Sequence, residues 1–143
     1  MWIKFPRKYG SYSMKYDYIA IVIENGRFML LLEELIIDSD GDMQIGSGIV
    51  AGFDDEKNFA VVLDYTDYET GYNRKTWAVV EKEDALAMAD YLKVRLTSLP
   101  KEILERFGDW SDIAVPSEVE AVFKDILDFM ISCGVRYQLK SNR

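Results

Sequence analysis

The chain has 143 residues, 49% apolar and 29% charged, with a net charge of −8, no histidine and one cysteine, Cys133. That size and balance suit a single α+β domain over residues 1–143 with a core of its own, and exclude wholesale disorder. With no imidazole and one thiol there is no triad base, no His- or Cys-ligated zinc and no CxxC redox couple.

Residues 1–14, with Lys4, Arg7, Lys8 and Gly10, read as a loosely packed N-terminal arm that Trp2 and Phe5 would dock. The start has no apolar h-region and no small-residue cleavage site, so no secretory signal is expected. The longest apolar runs, 19–23 and 28–32, fall far short of the ~20 residues of a membrane span. The expectation is a cytoplasmic protein with no membrane partner.

From Tyr16 the pattern is β. Asn25-Gly26 between the apolar runs 19–23 and 27–37 is a strong hairpin signal, because both centres of a type I′ turn need positive φ. The turn cluster Asp38-Ser39-Asp40-Gly41-Asp42 ends the second run, and a third strand is expected over 43–53. Asp54-Asp55-Glu56-Lys57 turns into a fourth over 58–66. A polar loop, 67–73, leads to a fifth over 75–80. Consecutive strands joined by short turns read as an antiparallel meander of about five strands.

At Glu81 the period changes. Ala85, Met88, Ala89, Leu92 and Leu96 recur at helical spacing, with Glu81, Glu83 and Asp84 at the positive end of the dipole. Ser98 is placed to cap a short second helix with Pro100 in its first turn, ending at Gly108. Ser117 and Glu120 have the spacing of a capping box for a third helix, whose stripe is Val119, Val122, Phe123, Ile126, Met130 and Cys133. Gly134 stops it, and 135–140 alternates as a last strand with one face buried. The expected fold is α+β: the meander, three helices packed on one face, and a C-terminal strand.

Few segments carry chemistry. Asp38 to Asp42 resembles the first half of a calcium loop, but Met43 stands at the glycine position and Ile49 at the bidentate-glutamate position, so a hairpin turn is the better reading. Gly46, Gly48 and Gly52 lie within a strand and precede an acidic turn. A bulge or a close backbone approach is expected there, not a phosphate cradle. Trp77 reads as sheet-face packing, Trp110 as a cover on the core. Cys133 reads as a small buried hydrophobe. No cofactor, metal or catalytic residue is assigned.

Between Glu33 and Glu69 there are eleven acids and one base, Lys57, a net −10 against +2 for the rest of the chain. That field repels nucleic acid and attracts a basic partner. Tyrosines are enriched where proteins meet. The expected partner-binding residues are therefore Asp64, Tyr65, Asp67, Tyr68, Glu69 and Tyr72. The profile resembles in type the small acidic α+β proteins with which bacteria neutralise toxins, a likeness that carries no residue across. The expected function is a non-enzymatic protein–protein interaction protein, such as an immunity-type inhibitor of a basic toxin or nuclease. One alternative is a metal-dependent hydrolase or small-ligand enzyme using the Asp64 to Glu69 carboxylates. Another is a structural subunit, or homo-oligomer, joined through a sheet edge.

Overall fold

The computed structural model describes residues 22–24, 27–39, 44–108 and 115–142. β1 (Val22–Glu24) and β2 (Arg27–Met29) form a separate two-stranded ribbon in which Glu24 opposes Arg27. β3 (Leu31–Asp38), β4 (Ile45–Phe53), β5 (Phe59–Asp67) and β6 (Tyr72–Val80) then run as an antiparallel meander. Three helices follow: α1 (Lys82–Leu92), α2 (Leu99–Phe107, after a 3-10 turn at Leu96–Ser98) and α3 (Pro116–Ser132). The chain returns as β7 (Gln138–Asn142) along β6, so one five-stranded antiparallel sheet has the order β3-β4-β5-β6-β7. The fold is α+β.

Alternation along the strands decides which side carries the helices. Ile49, Ala51 and Phe53 of β4, Phe59 and Val61 of β5, and Ala78 and Val80 of β6 share one face. Against it pack Ala85, Met88, Leu99, Ile103, Val119, Val122, Phe123, Ile126 and Met130 from the helices. Phe59 and Ile126 are fully buried, and each such side chain contributes about 1.5–3 kcal/mol of transfer free energy. The opposite face holds a smaller cluster, Leu30, Ala60 and Val62, with Val50 and Trp77 packed on it. Trp77 is thus sheet-face packing. Cys133 is buried at the end of the α3 stripe, and Gly134, at φ 83°, terminates the helix.

Several local expectations are corrected. The run 27–37 is not one strand. It breaks at Leu30, whose N–H donates to Glu33 Oε1 at 3.0 Å, while Leu32 adopts a φ of 53°. The first expected strand therefore joins the ribbon, and β7 supplies the main sheet's fifth. The loop 67–73 shrinks to a tight turn, because Asp67 pairs with Tyr72 and the ladder continues through Asn73. Ser98 precedes α2 but makes no side-chain cap. α1 stops at Leu92, where Lys93 turns left-handed at φ 61°, so Leu96 lies beyond it. The capping glutamate of α3 is Glu118, not Glu120: its Oε1 accepts from Val115 N at 3.0 Å, and the Ser117–Glu120 box does not form. The last strand begins at Gln138, and Leu139 is exposed, so its helix-side face is not buried there. The arm 1–14, Asn25-Gly26, Asp40 to Asp42 and Trp110 lie outside the described residues. Among the described residues no helix is long and apolar enough to cross a membrane.

Candidate functional site

The β5–β6 hairpin ends in a turn that Asp67 builds. Its Oδ1 accepts from Glu69 N at 3.0 Å, Thr70 N at 3.4 Å and Gln44 Nε2 at 3.3 Å. Its carbonyl accepts from Gly71 N at 2.8 Å, and Gly71 takes the left-handed φ of 78° that closes the turn. Partial loss of water raises the Asp67 pKa. The bonds from Gln44, from the Glu69 and Thr70 N–H groups and from the Thr70 hydroxyl outweigh that and hold it below the ordinary 3.8. An ionised aspartate here organises the tip.

The pleat distributes the six candidate residues over two faces. Tyr65, Asp67 and Tyr72 fall on the helix-bearing side, since they continue the alternation of Phe59 and Val61 in an unbroken register. Tyr65 and Tyr72 meet edge-to-face with ring centroids 6.2 Å apart. Asp64 lies on the other side, where its Oδ1 accepts from Asn73 Nδ2 at 2.8 Å and faces Lys75 Nζ at 3.4 Å. Tyr68, 62% exposed, turns over Gly46 on that same side, and Glu69 sits exposed in the turn itself. Asp64 and Asp67 therefore do not share one site. Among the described residues no group of three or more acids and cysteines is placed to hold a metal ion.

The glycines of β4 are explained by what lies above them. The β4–β5 register is unbroken, and the bulges lie on the β3 side, one of them between Leu31 and Glu34 opposite Gly52. Gly46 leaves room for the Tyr68 ring and Gly48 for the Asp38 carboxylate, whose Oδ1 would stand 3.0 Å from an added Cβ. A close backbone approach occurs only at Gly52, where Leu31 O would lie 2.8 Å from that atom. Asp38 and Asp64 consequently flank Gly48 on one face, a juxtaposition set by cross-strand register that spacing along the chain did not signal.

Charge is segregated across the sheet. β3, β4 and β5 carry Glu33, Glu34, Asp38, Asp64 and Asp67 and no base. β6 and β7 carry Arg74, Lys75 and Lys140 and no acid. The acid-rich stretch is also split lengthwise. Asp54, Asp55 and Glu56 form the β4–β5 turn, at the end of the sheet opposite Asp67 and Glu69, where Asp54 Oδ1 accepts from Glu56 N and Asn58 N at 2.9 Å each. Two buried polar side-chain atoms lack partners among the described residues, Ser47 Oγ on the helix-bearing face and Trp77 Nε1 on the other. No protein-family model, no curated protein and no solved structure matches the chain.

Proposed function

We propose that the protein is a non-enzymatic interaction protein whose acidic strands and β5–β6 tip cover a basic surface of a partner protein, as an immunity-type inhibitor of a basic toxin or nuclease would. The observation that carries this reading is the segregation of charge: Asp38, Asp64 and Asp67 reach the same end of the sheet on strands without a base. Around them Tyr68 and Tyr72 are 62% and 39% exposed, and they offer contact area at small entropic cost. The acids would steer encounter and the tyrosines would hold the docked complex.

The test is to cross-link the protein in its native cell, recover the basic partner and measure its rates. Asp67→Asn with Glu69→Gln should slow association about 3–10-fold at low salt, and the gap should shrink as salt rises. Asp64→Asn should matter less, because Lys75 already opposes that charge. Tyr68→Ala or Tyr72→Ala should speed dissociation. If all these variants keep both rates, the tip is not the interface. A hydrolytic activity lost with Asp64→Asn would replace this reading by the enzymatic one.

A further inference from the structure

The two edges of the sheet are built differently. β3 shifts register against β4 twice, between Leu31 and Glu34 and between Leu35 and Ile37, and Leu32 is left-handed at φ 53°. Gly108, closing α2, lies against the same edge: a Cβ there would stand 3.0 Å from Ile36 O. Bulges and a covering element are the usual means of keeping a sheet edge from recruiting another strand. β7 has neither. It pairs with β6 over five consecutive positions without a register shift, and among the described residues no strand pairs with its outer side. Gln138, Leu139, Lys140 and Ser141 are all exposed, Leu139 to 57%.

This open edge is also the basic margin of an acidic protein. Lys140 lies on β7 and Arg74 on β6 with no acid in either strand, and exposed Arg136 stands just before β7, whereas Lys75 of β6 already faces Asp64 at 3.4 Å. Pairing places Leu139 beside Ala78 on the helix-bearing side, and Lys140 beside Trp77 on the other. Self-pairing of β7 would bring two copies of this basic margin together, whereas an acidic strand would be attracted to it.

We propose that the outer edge of β7 is a docking strand for an extended acidic segment of a partner protein, which adds to the sheet as a sixth strand. The backbone N–H and C=O groups that an edge strand turns outward supply the binding, and the side chains supply the choice of segment. Period-two alternation sets its pattern: an apolar side chain next to Leu139 on one face, and an acid next to Lys140 on the other. Lys140 is a charge of the kind that discourages strand addition, an acid beside it offsets that charge, and the exposed Leu139 gives an alternating acidic segment an apolar contact. The surface is distinct from the acidic tip and does not depend on the tip's role.

The experiment uses the full chain and a capped peptide of alternating valine and glutamate about six residues long, roughly the length of an ordinary strand. Saturable shifts and slowed amide exchange are expected at residues 138–141. The same peptide N-methylated at alternate amides should not bind. Lys140→Glu, at an exposed position, should leave the unfolding midpoint unchanged and weaken the glutamate peptide by at least about tenfold. Any of four results overturns the proposal: no binding at millimolar peptide, equal binding of a control peptide with lysine in place of each glutamate, undiminished binding of the N-methylated peptide, or shifts centred on β3 or the 68–71 turn. Dimerisation of the chain through β7 without peptide would also overturn it, by assigning the edge to a second copy.

Discussion

The ring of Tyr68 lies across Gly46 so closely that a β-carbon on the glycine would stand 2.5 Å from the phenolic oxygen. The Tyr68 N–H also donates to Gln44 O at 2.9 Å, so backbone and side chain both fasten the β5–β6 turn to the start of β4. The ring of an exposed tyrosine thereby rests on a glycine surface, an orientation that would lower the entropy lost in the proposed docking.

Gly46→Ala separates that placement from stability. The clash is with the far end of an exposed side chain, which can swing away, so the unfolding free energy should change by less than about 1 kcal/mol. The Tyr68 ring should lose its fixed position, read as loss of its contacts to residue 46 in NMR spectra. Dissociation of the proposed complex should quicken about as much as in Tyr68→Ala.

Gly52→Ala should behave differently. There the added carbon meets backbone, Leu31 O at 2.8 Å and Glu33 Cα at 3.2 Å, at the point where the chain turns from the ribbon into the sheet. Neither neighbour can move alone, and a cost of about 1–3 kcal/mol in urea unfolding is expected. A neutral result would show that this junction is soft.

Asp67 should make stability depend on acid. Its folded pKa lies below the ordinary 3.8, so its hydrogen bonds favour the native state above that value, and the contribution is lost as pH falls through the lower, folded pKa. Urea unfolding of the native protein and of Asp67→Asn, compared from about pH 7 down to about pH 2, should show a gap that is constant at the neutral end and closes in the acid range. A gap that is independent of pH would mean that Asp67 does not ionise differently in the two states.

Cys133 should be inert in the folded protein. Burial raises its pKa above 9.0, and the Arg106 charge and the Ser132 hydrogen bond only partly oppose that. The thiol is therefore protonated and shielded at neutral pH, and a bulky thiol reagent should modify it only on unfolding. Fast modification of the native protein would place Cys133 outside the core.

The features legible in the sequence are those in which one segment's own period decides the outcome. The stripe Val119, Val122, Phe123, Ile126, Met130 is buried as its spacing requires, and the alternation of β4 and β5 puts Ile49, Ala51, Phe53, Phe59 and Val61 under the helices. Cap placement failed by a small margin at α3. Glu118 reaches back to Val115 because the helix starts at Pro116, which sets the cap two residues ahead of the Ser117-x-x-Glu120 spacing, and valine at the cap carries no oxygen by which the sequence would mark it.

Sequence by itself therefore determined the α+β class, the strand and helix periods, the absence of any imidazole or second thiol and the net acidity. Only the tertiary structure decided that the run 27–37 splits between a ribbon and the sheet, because a bond from Leu30 to Glu33 competes locally with a continuous strand. It alone decided that β5 runs on unbroken to Asp67, so that the strand's own alternation turns Asp64 and Asp67 opposite ways, and that the acids at 54–56 and 67–69 stand at opposite ends of the sheet. It also placed Arg74 and Lys75 on β6 beside acidic β5, with Lys75 facing Asp64, and Lys140 on the edge strand β7. The physical reason is that a strand's own pattern says which residues share its faces. Which residue of another strand lies beside each of them depends on register and strand order, which are settled by contacts far apart in the chain.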